Sequence, residues 1–237
     1  MSIPTLPRRK KPQVPILNTT PFPAFSIPWQ VRPPNCSLTV VVKGTFSLDG
    51  DGPVVVHAEQ TPPNGDMPYD DDPKASLFYP SDFVVFKPAA DLLLVGHAVP
   101  SQPDATVGAV EFRCGSFHRR LAVFGDRRWG TFGLDGKPTP FQRMPLRYER
   151  AMGGPLSEAN PVGRGYGTHM LLPNLERPEQ LVSSPGDRPA PACFGPIAPS
   201  WPPRKGKLGT YDGRWLAERW PYFPADVDWT HTQSAPR

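Results

Sequence analysis

Proline sets the limits of this fold. The 237-residue chain carries 35 prolines, and each one inside a helix removes a backbone donor and costs about 3 kcal/mol. Helices must therefore fit proline-free windows. Only three are generous: Asn35–Gly52, Asp104–Lys137 and Arg204–Trp220. The first two alternate like strands, so little helix is left. Together with 21 glycines, proline makes up about a quarter of the chain, close to the ~25–30% at which disorder becomes a serious reading. Hydrophobic residues at 38% and aromatics at 11% supply too much apolar surface for a chain that stays unfolded. The expected fold is mainly β, an antiparallel sandwich or barrel-like sheet with long Pro/Gly-rich loops and one short C-terminal helix.

Residues 1–34 read as a proline-rich arm, basic at Arg8–Lys11 and then aromatic at Phe22, Phe25 and Trp29. A single mainly β domain is expected over 35–237. Leu38, Val40, Val42, Phe46 and Leu48 share one face of an alternating run, with Thr39, Lys43, Thr45 and Ser47 on the other. LDGDGP closes that strand, and Val54–His57 begins its hairpin partner. Further strands are expected at Phe83–Phe86, Leu92–Val99, Val107–Cys114 and Phe117–Phe124, the last two joined through Gly115–Ser116. The helix falls near Asp212–Trp220, with Trp215, Leu216 and Trp220 on its apolar side and Pro221 as its stop.

Several function classes lose support. A net charge of +4 is mild, and Asp66, Asp70, Asp71 and Asp72 form an acidic cluster, whereas a nucleic-acid binder shows a larger, one-sided basic excess. The three cysteines are far apart and form no CxxC pair, so neither a zinc site nor a disulfide framework is indicated, and a cytoplasmic location is expected. No apolar run approaches about 18 residues, which argues against membrane insertion. Prolines 12, 15, 21 and 23 bar the apolar helix of a leader peptide. GLDGKP lacks the upstream glycine of a phosphate-binding loop, and Gly163, Gly165 and Gly167 give GxGxG rather than GxGxxG. HExxH and GxSxG are missing. No cofactor, metal or enzymatic activity is expected. Catalysis would need a constellation without a motif, such as His169 with Glu149 or Asp126.

What remains is a set of short polar-aromatic segments. Asp126, Arg127, Arg128 and Trp129 follow a strand; Arg147, Tyr148, Glu149 and Arg150 run toward Gly153 and Gly154; Asn160 leads into Arg164. Arginine and carboxylate form directional pairs that can fix loops without a sheet ladder, and glycine permits close backbone approach. Two readings stand side by side: a network that braces the fold, or a surface that contacts a partner. On the first, Arg147→Ala or Arg150→Ala damages folding by orphaning a buried carboxylate.

In this order the segments resemble a family of bacterial accessory proteins encoded with type VI secretion systems and catalogued as a domain of unknown function. The matching signatures are Val41–Phe46, YPSDFVVFKPAADLLLVGHA from Tyr79, Gly125–Trp129, YERAMGG from Tyr148, NPVGRGYG from Asn160 and LPNLE from Leu172. They continue with FGPIAPSWPPR, which contains Trp201, and GTYDGRWLAERWPYFPADVD, which contains Tyr211 and Trp215. The resemblance implies an effector adaptor or loading chaperone, which helps mount an effector, often one with a PAAR domain, onto the VgrG spike. It implies no catalysis and no cofactor. Met152 stands where the family commonly has Phe, and the family domain usually continues past Asp228, so either a shortened member or a fragment of a longer protein is expected. The alternative is a hydrolase or modifying enzyme, acting on the effector or the cell wall through His169 and nearby acids.

Overall fold

Among the described residues strand makes up 27% and helix 10%, the balance that the prolines impose. The structure, a computed structural model, describes residues 15–48, 50, 52–130, 133–134, 137–165 and 171–235. Arg8–Lys11, the turn residues Asp49 and Asp51, and His169 lie outside the described residues. By contact the chain divides into two compact units, one ending at Asn64 and one beginning at Gly65.

In the first unit, β1 (Ala24–Arg32) pairs antiparallel with β2 (Asn35–Val42), in register from Ala24↔Val42 to Trp29↔Ser37. The proline-rich stretch thus enters a strand at Ala24, and position 34 lies in the hairpin turn. Next, β3 (Phe46–Ser47) pairs with β4 (Val55–Val56) across the expected turn. The apolar face is the exposed one. Leu38, Val40, Val42, Phe46 and Leu48 are between 43% and 77% exposed, while Thr39, Val41, Lys43 and Thr45 are half-buried. Hydrogen bonds hold the polar face. Trp29 Nε1 donates to Thr39 Oγ1 at 3.0 Å, and Lys43 Nζ donates to Asn64 Oδ1 at 2.6 Å. The Gln60 amide clasps the Thr45 backbone, accepting its N–H at 2.8 Å and donating to its C=O at 3.0 Å. Residues 57–64 therefore lie against the polar side, and the apolar side is left open.

The second unit contains small pairs: β5 (Met67–Pro68) with β6 (Leu77–Tyr79), β7 (His97–Ala98) with β12 (Met144–Pro145), and β10 (Trp129–Gly130) with β11 (Gly133–Leu134). A parallel pair joins β13 (Met152–Gly153) to β14 (Arg164–Gly165). The longest ladder is β8 (Val107–Cys114) with β9 (Phe117–Phe124), and β15 (Leu175–Glu176) extends it in the order β15-β9-β8. Leu121 and Val123 of β9 enter a core with Leu146, Tyr148, Phe194 and Trp201. Sheets are antiparallel apart from β13–β14, and among the described residues none closes into a barrel.

Three local expectations are corrected. Phe83–Phe86 is not a strand, because the Val84 N–H turns back onto Asp82 O at 3.0 Å. Leu92–Val99 shortens to β7; Leu94 N–H makes one bond to Phe194 O at 3.0 Å rather than joining a ladder. Among the described residues two α-helices occur instead of one. In α1 (Pro202–Lys205) the prolines occupy first-turn positions, where no intrahelical donor is needed. In α2 (Gly213–Glu218) Asp212 caps the start by accepting Trp215 N–H at 2.9 Å. Its intended apolar side is open, with Leu216 and Trp220 exposed.

Candidate functional site

A single 3-10 turn, Tyr148–Arg150, is the hub of the polar network. Tyr148 is buried and meets the Trp201 ring edge-on at 5.6 Å, which anchors the turn in the core. Its charged neighbours lead outward. The two carboxylate oxygens of Glu149 accept the N–H and the Oγ–H of Ser76, each at 2.8 Å. Arg164 Nη1 donates to Asp126 Oδ1 at 3.3 Å, and its Nε donates to Glu149 O at 3.2 Å. The same Asp126 oxygen accepts Asn174 Nδ2–H at 3.1 Å and lies 3.5 Å from Arg150 Nη1. One carboxylate thus gathers three donors. Burial lowers the Arg164 pKa and nearby Arg150 lowers it further, while Asp126 opposes the shift.

Asn160 fixes the backbone around this hub. Fully buried, it donates Nδ2–H to Tyr148 O at 2.8 Å and to Met152 O at 3.0 Å. Its carbonyl accepts Gly154 N–H at 2.9 Å. A Cβ at Gly153 would stand 2.3 Å from Asn160 O, and one at Gly163 would stand 2.3 Å from Asn160 Nδ2. Only glycine permits that approach. The NPVGRG and YERAMGG signatures are therefore two halves of one knot, which seats β13 beside β14.

Residues 35–237 match the family described as uncharacterized protein conserved in bacteria (DUF2169). The chain belongs to that family. No curated protein and no solved structure matches it. In this DUF2169 chain the whole network, including Ser76 and Asn174, falls inside the matched residues.

Arg147 departs from its expected role. Its guanidinium lies 5.1 Å from the Tyr69 ring centre and donates to Asp70 Oδ2 at 3.2 Å, but the Asp70 side chain is 79% exposed. Glu149 Oε2 is 3.9 Å from Arg147 Nε and already accepts from Ser76. Asp126, which Arg150 approaches, has a half-exposed side chain. Losing either arginine orphans no buried carboxylate. The buried pair is Arg127 with Glu176, whose side chains are 8% and 1% exposed. Arg127 also donates to Pro173 O at 2.7 Å and stacks 3.8 Å from the Phe124 ring centre. Burial pushes the Glu176 carboxyl up, against the lowering pull of the Val182 N–H and of Arg127.

The remaining predicted residues of the DUF2169 chain scatter. Arg128 is exposed and forms an isolated bridge to Leu171, and Trp129 is half-buried in β10. Tyr211 and Trp215 stack at 4.8 Å in a separate aromatic group that includes Trp220. His169 lies outside the described residues, so its pairing with Glu149 or Asp126 has no described geometry. Sequence reasoning missed Ser76, Asn174 and Glu176 as partners. The last two sit in the LPNLE signature, but Ser76 carries no local signal. Among the described residues no cluster of His, Cys, Asp and Glu could hold a metal ion, and no helix is long and apolar enough to cross a membrane.

Proposed function

We propose that this family member is a non-enzymatic adaptor, which binds a type VI secretion effector, often one with a PAAR domain, and helps load it onto the VgrG spike. The ordered signatures motivate the reading. The observation that carries it further is a division of labour among side chains. The signature charges engage one another and the backbone: Glu149 is held by Ser76, and Asp126 by Arg164 and Asn174. Large apolar side chains meanwhile stand exposed in each unit, among them Leu38, Val40 and Val42 in the first and Leu216 and Trp220 in the second. Exposed apolar surface rimmed by polar groups is what a protein partner covers. Holding the effector's bound state would stabilise it by mass action, in the cytoplasm before the apparatus fires.

The test is co-expression with the effector encoded beside this chain. The effector should co-purify with it, and its soluble yield should fall several-fold when the chain is deleted. Equal solubility and equal delivery without the chain would overturn the reading.

A further inference from the structure

β9 is paired along its whole length on one side and along only part of it on the other. β8 matches every residue from Phe117 to Phe124, whereas β15 reaches only Ala122 and Val123. β15 stops at Glu176, and Pro178 lacks the N–H that a further rung needs. The direction of the open groups follows from Phe124, whose N–H donates to Asn174 O at 2.8 Å on the β15 side. Backbone groups alternate along a strand, so Ala122, Arg120 and His118 face that side too. Ala122 is paired with Glu176. Among the described residues no backbone partner meets Arg120 or His118 there.

A groove of about 540 Å³ runs along this stretch, lined by Leu121, Ala192 and Phe194 together with Arg119, Arg120 and Arg177. It adjoins a second cavity of about 430 Å³ lined by Tyr148, Ile197 and Pro203, and Arg177, Pro191, Gln233 and Ala235 line both. Three arginines outnumber two acids on the lining. His118 is engaged by Glu111, and Asp91 by Lys87. Glu179 is the other acid on the lining. Among the described residues Arg120 and Arg177 have no carboxylate within 4.0 Å, and Arg119 only stacks on Phe117, 5.4 Å from its ring centre.

We propose that this groove binds an extended acidic segment of a partner protein, added as a strand beside β9 in the line that β15 leaves. Its carboxylates meet Arg119, Arg120 and Arg177, and one apolar side chain enters the adjoining cavity. The unpaired edge decides the class of occupant. A polypeptide answers the N–H and C=O groups of Arg120 and His118, whereas a nucleic-acid strand answers only the arginines. The proposal rests on the reading that this protein acts by holding another polypeptide, and not on that polypeptide being a secretion effector.

The experiment uses the full chain and a fluorescent peptide of about seven residues, with adjacent Glu pairs that present carboxylates on both faces of the strand and a terminal Leu. Anisotropy should show saturable binding, weakened at least about tenfold by Arg120→Glu with Arg177→Glu, and similarly by N-methylation of alternate peptide bonds. Both arginines are exposed, so the double variant should melt as the wild type does. A lysine version of the peptide should not bind. Equal binding of the N-methylated peptide, tighter binding of an oligonucleotide of equal charge, or no binding at all would overturn the proposal. Effector pull-down separates this outcome from that of the adaptor reading. Retention by both wild type and double variant sinks the groove alone. Peptide binding without effector retention by the wild type sinks the adaptor reading alone.

Discussion

The hairpins β1–β2 and β8–β9 are built alike and end differently. Each has strands of eight or nine residues in antiparallel register, unbroken in β8–β9 and irregular only between Trp29 and Arg32 in β1–β2. In β9 Leu121 and Val123 are 3% and 0% exposed, but in β2 Leu38, Val40 and Val42 are 43%, 50% and 58% exposed. What separates them is a packed layer. Leu121 and Val123 meet Leu146, Tyr148, Phe194 and Trp201, with the buried Leu175 of β15 beside them in the sheet, while β1–β2 is a two-stranded sheet whose apolar face stays exposed. Alternation fixes which residues share a face, and burial of that face needs a further layer supplied from elsewhere in the chain.

The largest way to break the comparison is to release β15. Arg127→Ala leaves the Glu176 carboxylate buried without its cation, and should cost about 3–5 kcal/mol at pH 7 by chemical denaturation. The pH dependence has a definite sign. Glu176 is raised by burial, so protonation favours the folded state. Its contribution is fully present below the unfolded value, near 4.5, and is lost as pH rises through the folded value. The deficit of Arg127→Ala relative to wild type should therefore shrink as pH falls from 7 toward about 4. Adding Glu176→Gln should recover most of it at pH 7. A deficit that does not change with pH would mean that the lost stacking on Phe124 matters more than the orphaned charge.

A smaller contrast sets one hairpin directly against the other. Leu121→Ala should destabilise by about 2–5 kcal/mol through lost burial and a cavity, while Leu38→Ala or Val40→Ala should change stability by no more than about 0.5 kcal/mol. Comparable losses at the two sites would show that a second layer covers the β2 face in solution. The same triad of Leu38, Val40 and Val42 gives a reading of partner contact. Changing all three to Thr should leave the melting temperature within about 2 °C and reduce effector retention.

The difference between the hairpins also marks what sequence can convey. β8, β9, the β3–β4 pair and the helix after Asp212 were legible because their signals are local: alternation, a tight Gly115–Ser116 link, a capping Asp, a stopping Pro. The same logic failed at Phe83–Phe86, where apolarity matched a strand but Val84 N–H turned back onto Asp82. It grouped Leu38, Val40 and Val42 on one face without saying whether that face is covered, since nothing local records that Gln60, Lys43 and Asn64 tie down the opposite one. In the polar network the glycine–asparagine knot was visible as a pattern, yet its wiring was not. Glu149 meets Ser76 across 73 residues of sequence, and Arg127 meets Glu176 across 49. Pairing over such separations is set by the tertiary path, and one arginine motif looks like another until burial is known. Hence Arg147 and Arg127 were indistinguishable in the sequence, although only the second guards a buried charge.

The mildest perturbation is chemical labelling, for which the chain carries a reporter near each region. Cys36 lies in β2 and Cys114 ends β8, both exposed, whereas Cys193 is packed against the core that β9 enters. Burial pushes the Cys193 thiol up to about 12, so at pH 8 only about one part in ten thousand is thiolate, the form that reacts. A thiol reagent under native conditions should therefore modify two cysteines rapidly and the half-buried third slowly, the slow reaction speeding up when the second unit opens. Because that slow phase reports unfolding around β9 and not around β2, Arg127→Ala should accelerate it strongly, while Val40→Ala should leave it unchanged. Three thiols reacting at one rate would refute the burial assigned to Cys193. Equal acceleration by both substitutions would show that the two hairpins open as one cooperative structure, and the contrast between a buttressed and an unbuttressed ladder would then describe exposure without describing stability.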